Sequence, residues 1–322
     1  MPMRFRQAVG IVRVRSNTFG GYRVNTGFVG LGKMGFNMAD HLLEVGREVA
    51  VYDISSEAVD ALTRKGAVPA DSPDHLAAIL QRPRVVWIMV PAGKPVDDVL
   101  QTLVPSLEPG DAVVDGGNSR FSDSQMRAIR LREKGIYYLD AGTSGGIEGA
   151  RHGACIMVGG DPEGFAVIEP LLRDMCVPGG YGHMGPSGSG HYVKMVHNGI
   201  EYGMMQAIGE GFDLLETSEF SLDHEQIASV WAHGSVIRGW LMELAAQAFR
   251  KDGKLGYLAG RIADSGEGRW TVETALEQQV AIPVIGASLF RRYRSRSDDN
   301  FSDKVVAALR HEFGGHGFTP ES

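Results

Sequence analysis

The sequence predicts an α/β fold: an N-terminal doubly wound parallel sheet followed by an all-α C-terminal domain. Three observations carry this expectation. From Thr26 onward, short apolar runs alternate with helical patterns, as in a chain of βαβ units. The early runs are continuously apolar rather than alternating, as in strands buried on both faces. Beyond Gly190 nothing strand-like recurs. A chain of 322 residues is long enough for two domains.

The strand candidates come in order. "GFVG" leads into "LGKMGFNMADHLLEVG", "REVAVYD" into "SSEAVDALTRKG", "RVVWIMV" into "KPVDDVLQTLVPSL", and "DAVVDGG" into "SDSQMRAIRLREKG". "IYYLDA" follows, then "ACIMVGG" and the helix "PEGFAVIEPLLRDM". The stretch Val177 to Gly190 is rich in Gly, Pro and Ser and reads as the domain boundary. Helical patterns then run over 191–217, 223–233, 236–250, 270–280, 283–296 and 302–313. The expected division is an extension over 1–24, a dinucleotide-binding domain over 25–190 and a helical substrate-binding and dimerisation domain over 191–322.

Composition excludes several classes. Hydrophobic content is 43% and charged content 22%, ordinary for a globular protein. A net charge of −7 argues against nonspecific nucleic-acid binding. No apolar run approaches the ~20 residues of a membrane span. Cys155 and Cys176 show neither metal spacing nor a disulfide framework, so a reducing, cytoplasmic setting and no metal are expected. The first 24 residues carry Arg4, Arg6, Arg13, Arg15 and Arg23 and no acid. That is the composition of a transit peptide, but no amphipathic apolar face is evident, and a poorly ordered extension is the expectation.

Gly30, Gly32 and Gly35 form a G-x-G-x-x-G pattern after an apolar strand and at the start of an amphipathic helix, which is the context a dinucleotide site requires. Leu31, Lys33 and Met34 complete the turn. Its glycines allow backbone to approach a pyrophosphate at a helix N-terminus. Asp53 ends the next strand, where an acid accepts from the ribose hydroxyls of NAD. It repels a 2′-phosphate: a charge pair at ~4 Å and an effective dielectric of ~20 is worth about 4 kcal/mol. NAD is therefore favoured over NADP. The alternative is an Asp that caps the helix starting near Ser55.

The helix after the boundary carries two stripes. Lys194, His197, Asn198, Glu201 and Tyr202 fall on one face. Val193, Val196, Ile200, Met204, Ala207 and Ile208 form an apolar stripe expected to face the core. Gly199 and Gly203 each cost about 1 kcal/mol against alanine in a helix, which points to close packing against another backbone or a ligand. The polar stripe reads as donors and acceptors aimed into a cleft; a solvated face is the alternative.

"GLGKMG", "DGGNS", "TSGG" and "GHYVKMVHNGIEYG" together resemble the decarboxylating 6-phosphogluconate dehydrogenases, from about Gly27 to the end. The chain resembles the short form, which lacks a large part of the helical domain. The resemblance implies Lys194 as general base and Glu201 as general acid. It implies that Asn118, Ser144, Gly145, Gly146, His197, Asn198 and Tyr202 contact the sugar acid. It also implies that Val90, Pro91, Ala92 and Asn118 border the cofactor. Arg292 matches the family's phosphate-binding arginine. The tail "ALRHEFGGHG" matches a segment that enters the partner subunit's site, which places Arg310 and His316 at the neighbour's substrate phosphate in a homodimer or homotetramer. Two departures stand out. A substrate-binding lysine of the long forms falls on Ser265, and Asp53-Ile54-Ser55 stands where the long forms hold the 2′-phosphate with Asn-Arg-Thr.

The implied activity is oxidation and decarboxylation of 6-phosphogluconate in the pentose phosphate pathway. Three other readings stay open at this level. They are a β-hydroxyacid dehydrogenase for a small unphosphorylated acid, a silent NAD(H) sensor, and a solvated basic face around Arg291, Arg292, Arg294 and Arg296.

Overall fold

The computed structural model describes residues 24–314. The arginine-rich stretch before Val24 and the tail from 315, with His316, lie outside the described residues. The chain runs β1 (Thr26–Val29), α1 (Lys33–Glu44), β2 (Val49–Tyr52), α2 (Ser56–Thr63), β3 (Val68–Pro69), α3 (Pro73–Ile79), β4 (Val85–Ile88), α4 (Lys94–Leu103), β5 (Ala112–Asp115) and α5 (Phe121–Arg132). It continues through β6 (Tyr137–Ser144), α6 (Gly146–His152), β7 (Ala154–Gly159), α7 (Pro162–Met175) and β8 (Cys176–Gly185). Helices follow: α8 (Ser189–Glu216), α9 (His224–Ala232), α10 (Trp240–Lys251), α11 (Glu267–Glu277), α12 (Pro283–Arg294) and α13 (Phe301–Gly314).

The eight strands make one sheet in the order β3-β2-β1-β4-β5-β6-β7-β8. Successive strand residues feed opposite cores. Phe28 and Trp87 pack on one face with Leu42 and Leu139, while Val29 and Ile88 pack on the other with Leu103 and Tyr138. Both faces are covered, which is why the strands read as continuous apolar runs.

Three features differ from the sequence reading. β3 is only Val68–Pro69, too short to show a pattern. β7 runs antiparallel to β6, because a parallel return needs a dozen or more residues and the turn through α6 is shorter. The Gly- and Pro-rich stretch read as a boundary is in fact largely β8, parallel to β7 across register shifts. Its glycines serve close approach: a Cβ on Gly180 would meet the Ala154 carbonyl oxygen at 2.8 Å.

α8 crosses the sheet at β6 and β7 with almost no room between. A Cβ on Gly142 would lie 2.2 Å from the Lys194 Cβ, and one on Gly190 would lie 2.3 Å from the Asp140 carbonyl oxygen. The helix begins at Gly188 without a side-chain cap of its own. Asp140 of β6 supplies it instead, accepting from Gly188 N at 2.6 Å and His191 N at 2.8 Å. Asp140 is fully buried, so the orphan donors of the first turn are satisfied by a carboxylate from the sheet.

This crossing overturns one expectation. Lys194, Asn198 and Tyr202 of the polar stripe are the buried residues. The apolar stripe expected in the core is only partly covered within the single chain: Ile200 and Met204 are each 52% exposed, while Val193, Val196 and Ile208 are half-buried. Periodicity shows that a helix has two faces; which face meets the sheet is decided by the Gly142 and Gly190 contacts. Gly199 does mark close packing, since a Cβ there would reach Thr271 at 2.7 Å, whereas one on Gly203 would only touch Val284 at 3.4 Å.

Asp140→Asn turns one acceptor of the cap into a donor that faces a donor. A charged hydrogen bond is worth about 1.5–3 kcal/mol, so the variant should lose at least about 2 kcal/mol, read as a lower urea midpoint at unchanged slope.

Candidate active site

The glycine loop has the shape a dinucleotide needs. Gly30 has a φ of +96°, and a Cβ there would strike the Met89 carbonyl oxygen at 2.6 Å. A Cβ on Gly35 would strike the Gly30 carbonyl oxygen at 2.1 Å, which seats α1 tightly against the loop. Gly32 faces open space, and it starts α1 with no side-chain cap. The first-turn amides near Lys33 and Met34 are thus left for an anion. Asp53 Oδ2 accepts from Leu31 N at 2.5 Å and Oδ1 from Ser55 N at 2.7 Å. The cap of α2 is Ser55, not Asp53. Each carboxylate oxygen keeps a free lone pair, so the chain's own residues fit the adenosine ribose and pyrophosphate of NAD.

The loops after β4 and β5 lie side by side. A Cβ on Gly117 would sit 2.9 Å from the Val90 carbonyl oxygen. Buried Arg127 ties the two loops together. It donates to Gly93 O at 3.0 Å, beyond Val90, Pro91 and Ala92, and to Asp115 Oδ2 at 3.3 Å. Asp115 accepts from Gly117 N at 3.2 Å, which sets the turn that presents exposed Asn118.

The polar stripe of α8 meets the end of β6. Lys194 is buried, with Nζ 3.4 Å from His197 Nδ1. His197 also touches Asn198 Oδ1 at 3.0 Å and, through Nε2, Ser144 Oγ at 3.2 Å. Glu201 Oε2 lies 3.9 Å from His197 Nδ1. Ser144 leads into Gly145 and Gly146, both at positive φ, a turn that a Cβ would strain. The structure therefore brings Ser144, Gly145, Gly146, Lys194, His197, Asn198 and Glu201 to one place. Burial pushes the Lys194 amine below its usual range, and the charges of Glu201 and Glu267 and the Cys155 thiol pull it partly back.

Tyr202 continues the stripe against α11 and α12. Its hydroxyl donates to Asp264 Oδ1 at 2.9 Å and lies 3.5 Å from Ser265 Oγ. Burial is the main cause that raises its pKa. The Arg292 guanidinium sits over the Tyr202 ring, 3.4 Å from its centre, and donates to Ala263 O at 2.9 Å. Arg292 is thus set apart from the basic face expected as an alternative. Arg294 pairs with Asp303, and Arg296 bonds to Ile262 O. Arg310 is exposed on α13 and is not joined to this cluster.

Sequence reasoning missed three contributors. Asp140 carried a signal, an acid at the end of an otherwise apolar strand. Asp264 and Glu267 gave none, because only the packing of α11 on α8 brings them to Tyr202 and Lys194. Among the described residues, the buried side-chain atoms near this seam that lack a hydrogen-bond partner include Ser119 Oγ, Thr143 Oγ1, Ser189 Oγ, His191 Nε2 and Glu267 Oε2. A cavity of about 270 Å³ lies on the Met195 side of α8, lined by Ser119, Arg120, Trp270 and Thr274.

Residues 25–185 match the NAD binding domain of 6-phosphogluconate dehydrogenase, and residues 190–308 match the 6-phosphogluconate dehydrogenase C-terminal domain. The chain is 54% identical over 290 residues to a Bacillus subtilis protein named "Putative 6-phosphogluconate dehydrogenase YqeC", covering 90% of this chain and 97% of that one. It is 48% identical over 292 residues to the NAD(+)-dependent, decarboxylating 6-phosphogluconate dehydrogenase of Haloferax volcanii, with 90% and 97% covered. Longer relatives exist: the chain spans 61% of a second, 40% identical Bacillus subtilis enzyme. Among solved structures, Plasmodium falciparum 6-phosphogluconate dehydrogenase superposes with a TM-score of 0.78 at 27% identity, over 92% of this chain and 66% of that one. With both of its halves matched and two relatives at 54% and 48% identity spanned to 97% of their length, the chain belongs to the 6-phosphogluconate dehydrogenase family.

Proposed function

We propose that the protein converts 6-phospho-D-gluconate to D-ribulose 5-phosphate and CO2, with NAD as oxidant. The observation that carries this reading is Lys194: a buried amine pushed toward its neutral form, held against Gly142 at the end of the sheet. A neutral amine is a base suited to neutral pH. When bound, NAD supplies the acceptor for the C3 hydride. Lys194 takes the C3 hydroxyl proton onto Nζ as that C–H bond breaks, leaving a β-keto acid. The Lys194 ammonium then donates to the ketone oxygen as the carboxylate leaves as CO2. Electrons of the broken C–C bond form the enediol double bond, and the ketone's pair moves onto its oxygen. Glu201, on the same helix face, protonates the enediol carbon while the proton on the former ketone oxygen goes back to Lys194 Nζ, which re-forms the C=O bond and gives the ketose. His197, Asn198, Ser144 and Asn118 hold the hydroxyls, and Arg292 meets the phosphate.

The preference for NAD over NADP is supported by Asp53 at the glycine loop and by the name of the Haloferax relative. A shared site is supported by two uncovered surfaces. The apolar stripe through Ile200 and Met204 is exposed, and residues 301–312 of α13 are exposed throughout. We read the active unit as a homodimer or larger, with Arg310 and His316 completing the neighbour's phosphate site. Arg suits that role because its fork binds two phosphate oxygens at once.

An NADH-absorbance assay with 6-phosphogluconate, gluconate and 3-hydroxyisobutyrate tests the reaction; turnover confined to an unphosphorylated acid would overturn it. Lys194→Met should lower kcat by at least ~10²–10⁴-fold, as for loss of a general base, with NAD affinity kept. Glu201→Gln should cripple release of ribulose 5-phosphate. Asp53→Asn should improve NADP use; a wild type that already favours NADP would contradict the role of Asp53. The tail is tested by mixing Lys194→Met and Arg310→Ala chains. In a mixed dimer one site inherits both lesions and the other neither, so activity should return. No recovery after demonstrated subunit exchange would mean that each site uses its own tail.

A further inference from the structure

Glu267 opens α11 and is only 4% exposed, with Oε2 lacking any hydrogen-bond partner. A buried carboxylate oxygen in that condition costs stability and calls for an explanation. Its place is fixed on both sides. Thr271 Oγ1 is within 2.8 Å of Glu267 O and 2.9 Å of Met195 O, the residue after Lys194. Gly268 lies against the Tyr202 ring, where a Cβ would come within 2.3 Å. This stretch of α11 therefore runs along the buried side of α8 that carries Lys194 and Tyr202. The first turn of α11 also favours negative charge.

We propose that Glu267 is a positioning residue that acts through Lys194, as the fixed counter-charge for its ammonium once the substrate's hydroxyl proton has been taken. The inference rests on the reading of Lys194 as the base. The groups around Lys194 single Glu267 out. Glu201 also reaches it, but Glu201 is half-exposed and gives up its own proton later in the cycle. Cys155 of β7 is exposed. His197 touches Lys194 on its own helix and is shared with Ser144 and Asn198. Asp140 of β6 is engaged at the helix start, Ser124 of α5 bonds to His191, His183 of β8 to Gly160 O, and Arg292 of α12 stacks on Tyr202. Among the described residues around Lys194, only Glu267 combines burial, charge and an unused acceptor. No direct hydrogen bond joins its Oε2 to Lys194, so it acts through the field, leaving Nζ free for substrate.

The test is the pH profile of kcat/KM for 6-phosphogluconate. The wild type loses activity as pH falls through the Lys194 pKa, because an ammonium takes no proton. Glu267→Gln keeps the shape and removes the charge that supports the ammonium. Its acid limb should move down by about one pH unit, and plateau kcat should fall roughly three- to tenfold. KM for NAD should hold within about twofold. Its Tm should not drop, because an unpartnered buried charge has gone. Glu267→Asp keeps the charge and should keep the limb within a few tenths of a unit. Should Glu267→Gln not fold, Glu267→Leu carries the same test without an orphaned polar group. An acid limb unmoved in the uncharged variant overturns the proposal, as does an Asp variant displaced as far as the Gln variant. Lys194→Met separates the two readings. If it keeps wild-type turnover, the base assignment itself falls. If it is inactive while the Glu267→Gln limb stays put, only the role of Glu267 falls.

Discussion

The contact on which the rest of the molecule depends is the crossing of α8 over β6 and β7. At Gly190 the helix meets the sheet backbone to backbone, at Gly142 the strand makes room for the Lys194 side chain, and Asp140 caps the helix from within the strand. One strand thus fixes the position, the rotation and the N-terminal charge balance of the helix that bears Lys194. Because β6 continues into Ser144, Gly145 and Gly146, the same strand also sets the opposite wall of the site. Any side chain larger than hydrogen at 142 or 190 would push the helix away and open a site whose chemistry needs positions held to a fraction of an ångström.

Rotation of α8 decides which groups are dry. Turning the polar stripe inward gives up favourable burial of Ile200 and Met204 within the single chain, roughly 25 cal/mol for each Å² left wet. It also takes Lys194 out of water. Both are unfavourable for an isolated subunit. The return is an amine that burial pushes below its usual range, set beside the hydrogen-bonding groups of Ser144, His197 and Asn198.

The cofactor end works by a different rule. There the backbone does the binding, and side chains shape it. Asp53 holds Leu31 N, and Arg127 joins the Gly93 turn to Asp115 behind Asn118. Asp53 and the buried Arg127 each have several partners, so they act as rigid braces for loops that have little regular structure of their own.

The sequence by itself determined the strand–helix alternation, the glycine loop, the polar stripe and the helical second half, because each is a local pattern repeated at the period of its own backbone. It was enough to show that Gly199 sits at a close contact. It was silent on β3, which has two residues, and on β8, where Gly and Pro serve a strand packed tightly against β7. Direction of β7, inward rotation of the polar stripe, the stacking of Arg292 on Tyr202 and the approach of Glu267 to Lys194 were decided only by tertiary structure. Each depends on which surfaces meet, and residues 140 and 191, or 195 and 271, are brought together by packing across the chain that no local period encodes.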